Sequence, residues 1–127
     1  MPKNVWEQTR LFDIEEYPTE EQTAILELEA WWMNHAAQEA AKTIPKALEY
    51  GSVDLELMGD AMLVLMPQLK GVVPKQELAI AFYLLGKLSR MFGAYEKGNS
   101  PSDDSWEDMG IYSKMGQHVR EKGYWGK

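Results

Sequence analysis

The stretch PKQELAIAFYLLGKLSRMFGAYEKG, residues 74–98, decides the fold class. Pro74 is placed to start a helix and Gly98 to end one. Projected at about 100° per residue, Lys87 falls among Ile80, Tyr83, Leu84, Met91 and Ala94. Arg90 lies beside it, over Tyr83, Gly86, Gly93 and Ala94. The far side, with Leu78, Leu85, Leu88 and Phe92, is apolar as well. A helix hydrophobic nearly all round is expected to be buried, so Lys87 and Arg90 cannot both escape easily to water. Gly86 and Gly93 remove side-chain bulk next to Arg90, which leaves room for a ligand or a closely packed helix.

Moving outward, Asn99-Ser100-Pro101 reads as a turn. Ser102 is placed to cap a fourth helix ending near Lys122, before Gly123. On the other side, Ser52 can cap a second helix that continues to about Leu69, before Gly71. Upstream, Pro18 followed by Thr19-Glu20-Glu21-Gln22 reads as a capping box. It opens a first helix that runs to about Tyr50, with a kink or restart at Pro45 and Gly51 as C-terminal cap. Residues 1–18 form an arm with Trp6, Leu11 and Phe12 as apolar anchors, and Tyr124-Trp125-Gly126-Lys127 is a short tail. No stretch sustains the alternation of a strand. The expectation is an all-α fold: one domain over residues 1–127, a compact four-helix architecture with an N-terminal arm.

Composition narrows the function classes. A chain of 127 residues with 45% hydrophobic content supports one real core rather than disorder. Apolar runs such as Ala61 to Pro67 are too short to span a bilayer. The start, Met1-Pro2-Lys3-Asn4, lacks the basic-then-apolar order of a secretory signal. With no cysteine, disulfides and thiolate chemistry are excluded, and a cytoplasmic location is expected. A net charge of −7 argues against general nucleic-acid binding. The charge is unevenly spread. Residues 1–60 carry 4 basic and 13 acidic side chains, whereas residues 61–127 carry 9 and 7. An anionic small molecule would therefore be drawn to the second half. Five tryptophans and six tyrosines suit core or subunit contacts, and flat rings also stack on bases.

The fourth helix mirrors the third with opposite sign. Asp108 is central in the stripe Ile111, Tyr112, Met115 and Val119, and Asp104 lies one turn earlier on the same side. Carboxylates at i and i+4 point together and suit a shared divalent cation or a basic partner. On the first helix, Glu39, Lys46 and Tyr50 align with Trp32 and His35, provided Pro45 does not swing the last turn away. A buried charge must be paired, hydrated or bound to a ligand. Two readings follow with equal weight: Lys87 and Arg90 pair with Asp104 and Asp108 across a helix interface, or the four charges form a site. Asp103 and Asp104 have a simpler role open to them, since acids in a first helical turn complement the macrodipole. His35 has no spaced partner and reads as a satisfied core residue. Ser52, Ser102 and Ser105 read as caps and turns, and no phosphate-binding glycine loop occurs.

Three segments together resemble a known group. They are Lys46-Ala47-Leu48-Glu49-Tyr50-Gly51, then Gly86-Lys87-Leu88-Ser89-Arg90, then Asp104-Ser105-Trp106-Glu107-Asp108 with Tyr112 beyond. Their order resembles small all-α proteins, found largely in phages, that are similar to MazG-like nucleotide pyrophosphohydrolases and nucleotide-modification-associated domains. The resemblance implies a helical, usually oligomeric protein with a phosphorylated nucleoside ligand and magnesium. By this resemblance Lys46, Tyr50, Lys87 and Arg90 would contact the ligand or support its site, and Asp104 and Asp108 would hold metal. The chain also departs from the pattern. Ser100 stands where relatives often carry a glutamate, Glu56 and Asp60 are spaced one residue too far, and Glu39 has no acidic partner at Lys42.

Two functions stay open on this reading. One is Mg²⁺-dependent hydrolysis of a nucleoside triphosphate, with Asp104, Asp108 and Glu39 on the metal and Lys87 and Arg90 on the phosphates. The other is a non-catalytic sponge that sequesters a nucleotide immune signal, such as a cyclic ADP-ribose or cyclic dinucleotide. There Lys87 and Arg90 clamp phosphates and Tyr50, Tyr112 or a tryptophan stacks on a base. A third possibility is an interaction module whose buried charges are only helix–helix ion pairs. Self-association is expected in each case, because an aromatic arm and a helix apolar all round ask for more burial than four short helices give.

Overall fold

The structure, a computed structural model, describes residues 11–50 and 52–127, without the side chain of Tyr50. Trp6 and the proposed cap Gly51 lie outside the described residues. Four α-helices carry the described chain: α1 (Thr19–Tyr50), α2 (Val53–Leu65), α3 (Lys75–Glu96) and α4 (Ser105–Lys122). Short 3-10 turns occupy Ile14–Glu16 and Pro67–Leu69, and no strand occurs among the described residues. The all-α expectation holds. No described helix is long and apolar enough to cross a membrane.

The chain divides into two compact units, one up to Lys42 and one over Thr43–Lys127, with α1 running through the division. In the first unit Asp13 caps the opening turn, its Oδ1 accepting the Glu15 N–H at 3.2 Å. The capping box at Pro18 takes a different form from the expected one. Thr19 is already helical, and Gln22 reaches back to donate to the Tyr17 carbonyl at 3.0 Å. α1 does not restart at Pro45 but continues through it, although proline cannot donate to the carbonyl four residues back.

The second unit holds the larger core. Leu55 of α2, Ala79 and Ile80 of α3 and Val119 of α4 are buried together, with Met58, Tyr83, Tyr112, Met115 and Trp125 packed around them. α2 ends at Leu65, short of the expected Leu69, because Pro67 disfavours helix at Met66 and opens a 3-10 turn instead. α3 ends as expected, at a glycine-closed turn. Gly98 takes a φ of 72°, its N–H meets the Tyr95 carbonyl at 2.9 Å, and the Asn99 N–H meets the Ala94 carbonyl at 2.9 Å. The N-cap position of α4 is Asp104 rather than Ser102, and its side chain makes no capping hydrogen bond; the Ser102 hydroxyl pairs with the buried Ser105 hydroxyl at 2.9 Å.

α2 comes very close to α3 where it meets the start of that helix. A Cβ added to Gly59 would lie 2.7 Å from both the carbonyl carbon and the Cβ of Lys75. Polar side chains fasten the same crossing. Lys75 Nζ contacts Glu56 at 2.8 Å and Asp60 at 3.1 Å, and Gln76 donates to Glu56 Oε1 at 2.7 Å. Gln76, itself buried, also accepts the backbone N–H of Trp125 at 2.9 Å. That bond ties the C-terminal tail to α3. His118 adds a second tie, its Nδ1–H donating to the Tyr124 carbonyl at 2.6 Å.

Two outcomes follow for stability. Gly59→Ala should destabilise the fold by about 2–3 kcal/mol, because the added methyl meets backbone, which cannot rotate away; chemical denaturation measures it. The pH dependence has a definite sign as well. The hydrogen bond from Gln76, and after it the one from Lys75, holds Glu56 below its ordinary value of 4.5 against a smaller opposing effect of burial. A carboxylate lowered in the folded state stabilises above its unfolded pKa and loses that contribution as pH falls through the folded one. Thermal midpoints should therefore fall on acidification below about pH 4.5, and Glu56→Gln should shrink that acid-side loss relative to the wild type.

Candidate functional site

The charged residues of the third and fourth helices meet at one point. α3 packs against α4, and Lys87 Nζ donates to Asp108 Oδ2 at 2.8 Å. Both side chains are largely withdrawn from water, with 21% and 24% of their surface exposed. Each has a tyrosine one helical turn away, Tyr83 four residues before Lys87 and Tyr112 four residues after Asp108. Those two rings stack with centroids 5.9 Å apart at 18°. The bonded Asp108 carboxylate raises the Lys87 ammonium above its ordinary 10.5; burial works against this, and the charges of Asp108, Asp104 and Tyr112 add to it. Lys87 is thus a fixed cation over the whole physiological range.

The other expected members of the site are placed differently. Arg90 is exposed, not buried, and carries no ion pair among the described residues. It projects from the part of α3 that includes Gly86 and Gly93, where an added Cβ would meet nothing within 4 Å. Asp104 is exposed and stands as the N-cap of α4, so it reaches Lys87 through its charge rather than by contact. Tyr112 packs on Tyr83 and the core. Lys46 is exposed near the end of α1, and the Tyr50 side chain lies outside the described residues. Glu39 is half-buried and belongs to the first unit. Of the eight candidate residues, then, contact joins Lys87 to Asp108, and electrostatics adds Asp104 and Tyr112.

Asp108 is bonded to a lysine, and Glu56 and Asp60 both face Lys75. Among the described residues no three His, Cys, Asp or Glu side chains gather as a cation site. His35 is exposed and not in the core; it stacks on Trp31 at 4.2 Å and hydrogen-bonds its carbonyl at 2.8 Å.

No family model matches the chain, and searches of curated proteins and of solved structures find no match either. Function therefore rests on the geometry.

Sequence reasoning missed a cavity in the first unit. It has a volume of about 350 Å³ and is lined by Leu11, Phe12 and Tyr17 against Ile25, Leu28, Trp32 and Met33, with the buried Glu29 among them. The signal was present: Leu11 and Phe12 were recognisable anchors, and Ile25, Leu28 and Trp32 recur at helical spacing. Its described lining is apolar apart from Glu29.

The Lys87–Asp108 pair can be tested directly. Removing one member leaves a largely buried charge, so Lys87→Met and Asp108→Leu should each cost about 1–3 kcal/mol. The double variant should recover most of that loss. A thermodynamic cycle by urea denaturation measures the coupling.

Proposed function

We propose that this chain is a cytoplasmic, oligomeric binding protein that holds a phosphorylated nucleotide-type molecule against the α3–α4 face without cleaving it. Arg90 carries the reading. It is exposed and without an ion pair among the described residues, and it stands beside the open flanks of Gly86 and Gly93, one turn from Lys87. Guanidinium groups grip phosphate through two parallel hydrogen bonds. Lys87 supplies a second, permanently charged group close by. In the binding step it shares its ammonium between Asp108 and a phosphate oxygen, and the Tyr83–Tyr112 stack offers ring surface to a base.

Sequestration is preferred to hydrolysis because of where the carboxylates are. A magnesium-dependent pyrophosphohydrolase needs several acids free to converge on metal and water. Here Glu56, Asp60 and Asp108 face lysines. The MazG-like alternative would require Asp108 to release Lys87 before it could take a cation. A third reading, a ligand-free interaction module, draws on the same 2.8 Å contact, since it is also what a helix–helix strut would look like.

One experiment separates the three. The purified protein is incubated with nucleoside triphosphates, cyclic dinucleotides and cyclic ADP-ribose, with and without Mg²⁺, and retained and free fractions are chromatographed after denaturation. An intact ligand recovered from the retained fraction, with affinity reduced about tenfold or more by Arg90→Ala, is the expected result. Triphosphate converted to monophosphate only with Mg²⁺ would instead make the protein a hydrolase. Retention of none of the probes would leave the strut as the role of the pair.

A further inference from the structure

Helix α3 has a second face that the binding site does not use. Leu78, Ala81, Leu85, Leu88, Phe92 and Tyr95 recur at alternating spacings of three and four residues, the a/d repeat of a coiled-coil seam. It points away from the side that carries Ala79, Ile80 and Met91, which are buried. Beyond Leu78 the seam is open to solvent: Leu85 is 63% exposed, Leu88 37%, Phe92 58% and Tyr95 50%, and Phe82 on its flank is 42% exposed.

We propose that this seam is a subunit interface and that its occupant is the α3 seam of a second copy of the chain. Area is the first argument. Five half-exposed large side chains present on the order of 500 Å² per copy, taking roughly 200 Å² for each side chain in full. That is as large as the biggest apolar patch of a typical monomer, and such patches mark interaction sites. Two facing copies cover about 1,000 Å² from these residues alone. Ala81 and the exposed neighbour Ser89 bring the total toward the roughly 1,200–2,000 Å² of a specific interface.

Charge is the second argument, and it selects a like partner. The seam positions include no charged residue. Three charges of α3 are already engaged by α2 and α4: Lys75 by Glu56 and Asp60, Lys87 by Asp108, and Glu77 by Arg120 at 3.4 Å. A partner chosen by opposite charge would find nothing to read here. A copy of the same seam opposes no like charges, and a two-fold arrangement closes the interface so that the patch covers itself. This assignment does not depend on the ligand reading above.

Sedimentation of the full chain tests it. The wild type should run at twice the chain mass, and rising salt should not weaken the pair, because the association is apolar while net charge of −7 on each copy opposes it. Leu85→Asp and Phe92→Asp should each weaken the dimer by about 100-fold or more with helical circular dichroism unchanged, since both positions are open in the single chain. Val64→Asp, at a 79% exposed apolar position of α2, should leave the mass as it is. A wild type at single-chain mass overturns the proposal. So does a folded Leu85→Asp/Phe92→Asp double variant that keeps the wild-type mass. Ligand retention, measured separately on the same proteins, reports on the binding reading alone.

Discussion

The close crossing of α2 over the first turn of α3 is the constraint on which the second unit depends. At Gly59 the α2 backbone lies against the Lys75 carbonyl with no space for a side chain. So close an approach leaves backbone and polar groups short of water, and the surrounding residues answer that need. Lys75 bridges Glu56 and Asp60, while the buried Gln76 fills both sides of its amide, donating to Glu56 and accepting from Trp125. A buried amide that donates and accepts in two directions fixes orientation in a way that apolar contact does not. It sets α2, α3 and the C-terminal tail at once, and so brings Leu55 against Ala79, Ile80 and Val119.

The same crossing determines what the candidate site can be. With α3 held at its N-terminal end by α2, its later turns lie along α4, and Lys87 comes opposite Asp108. An ammonium and a carboxylate at 2.8 Å, both mostly out of water, satisfy each other. Any ligand anion has to compete with an acid already in place. Arg90 faces no such competitor among the described residues, which makes it the group that would meet a phosphate first.

Much of this was legible in the sequence. The apolar content and helix-period patterning of residues 74–98, with their Pro and Gly ends, gave the central helix to within two residues. The expectation that Lys87 and Asp108 sit on facing helices came from two charges lying in apolar stripes. What failed to show did so for physical reasons. Periodicity says that a face is apolar and does not say what covers it, so the Leu85–Phe92 side was expected to be buried and is exposed, while of Lys87 and Arg90 it is Arg90 that reaches water. Local spacing also placed Asp104 with Asp108, whereas the helix begins late enough to leave Asp104 at the cap. Gly59 and Gln76 gave no signal at all. A lone glycine in Met58-Gly59-Asp60 and a lone glutamine after Pro74-Lys75 acquire meaning only when two distant segments meet.

The distribution of charge on α3 then links these findings. A helix at the surface of a globular unit ordinarily turns its apolar stripe inward and its charges outward. On α3, Lys75, Glu77 and Lys87 are engaged by α2 and α4, while Leu85, Phe92 and Tyr95 face solvent. Part of the inward face is apolar as well, so the core is small but present. These ion pairs contribute little net stability: solvent screens those of Lys75 and Glu77, and desolvation offsets part of the attraction between Lys87 and Asp108. They are nevertheless directional, and they fix how α3 is rotated between its neighbours. That rotation is what leaves an uncharged seam on the outside. The polar contacts that engage the helix and the apolar surface it exposes are therefore two consequences of one arrangement.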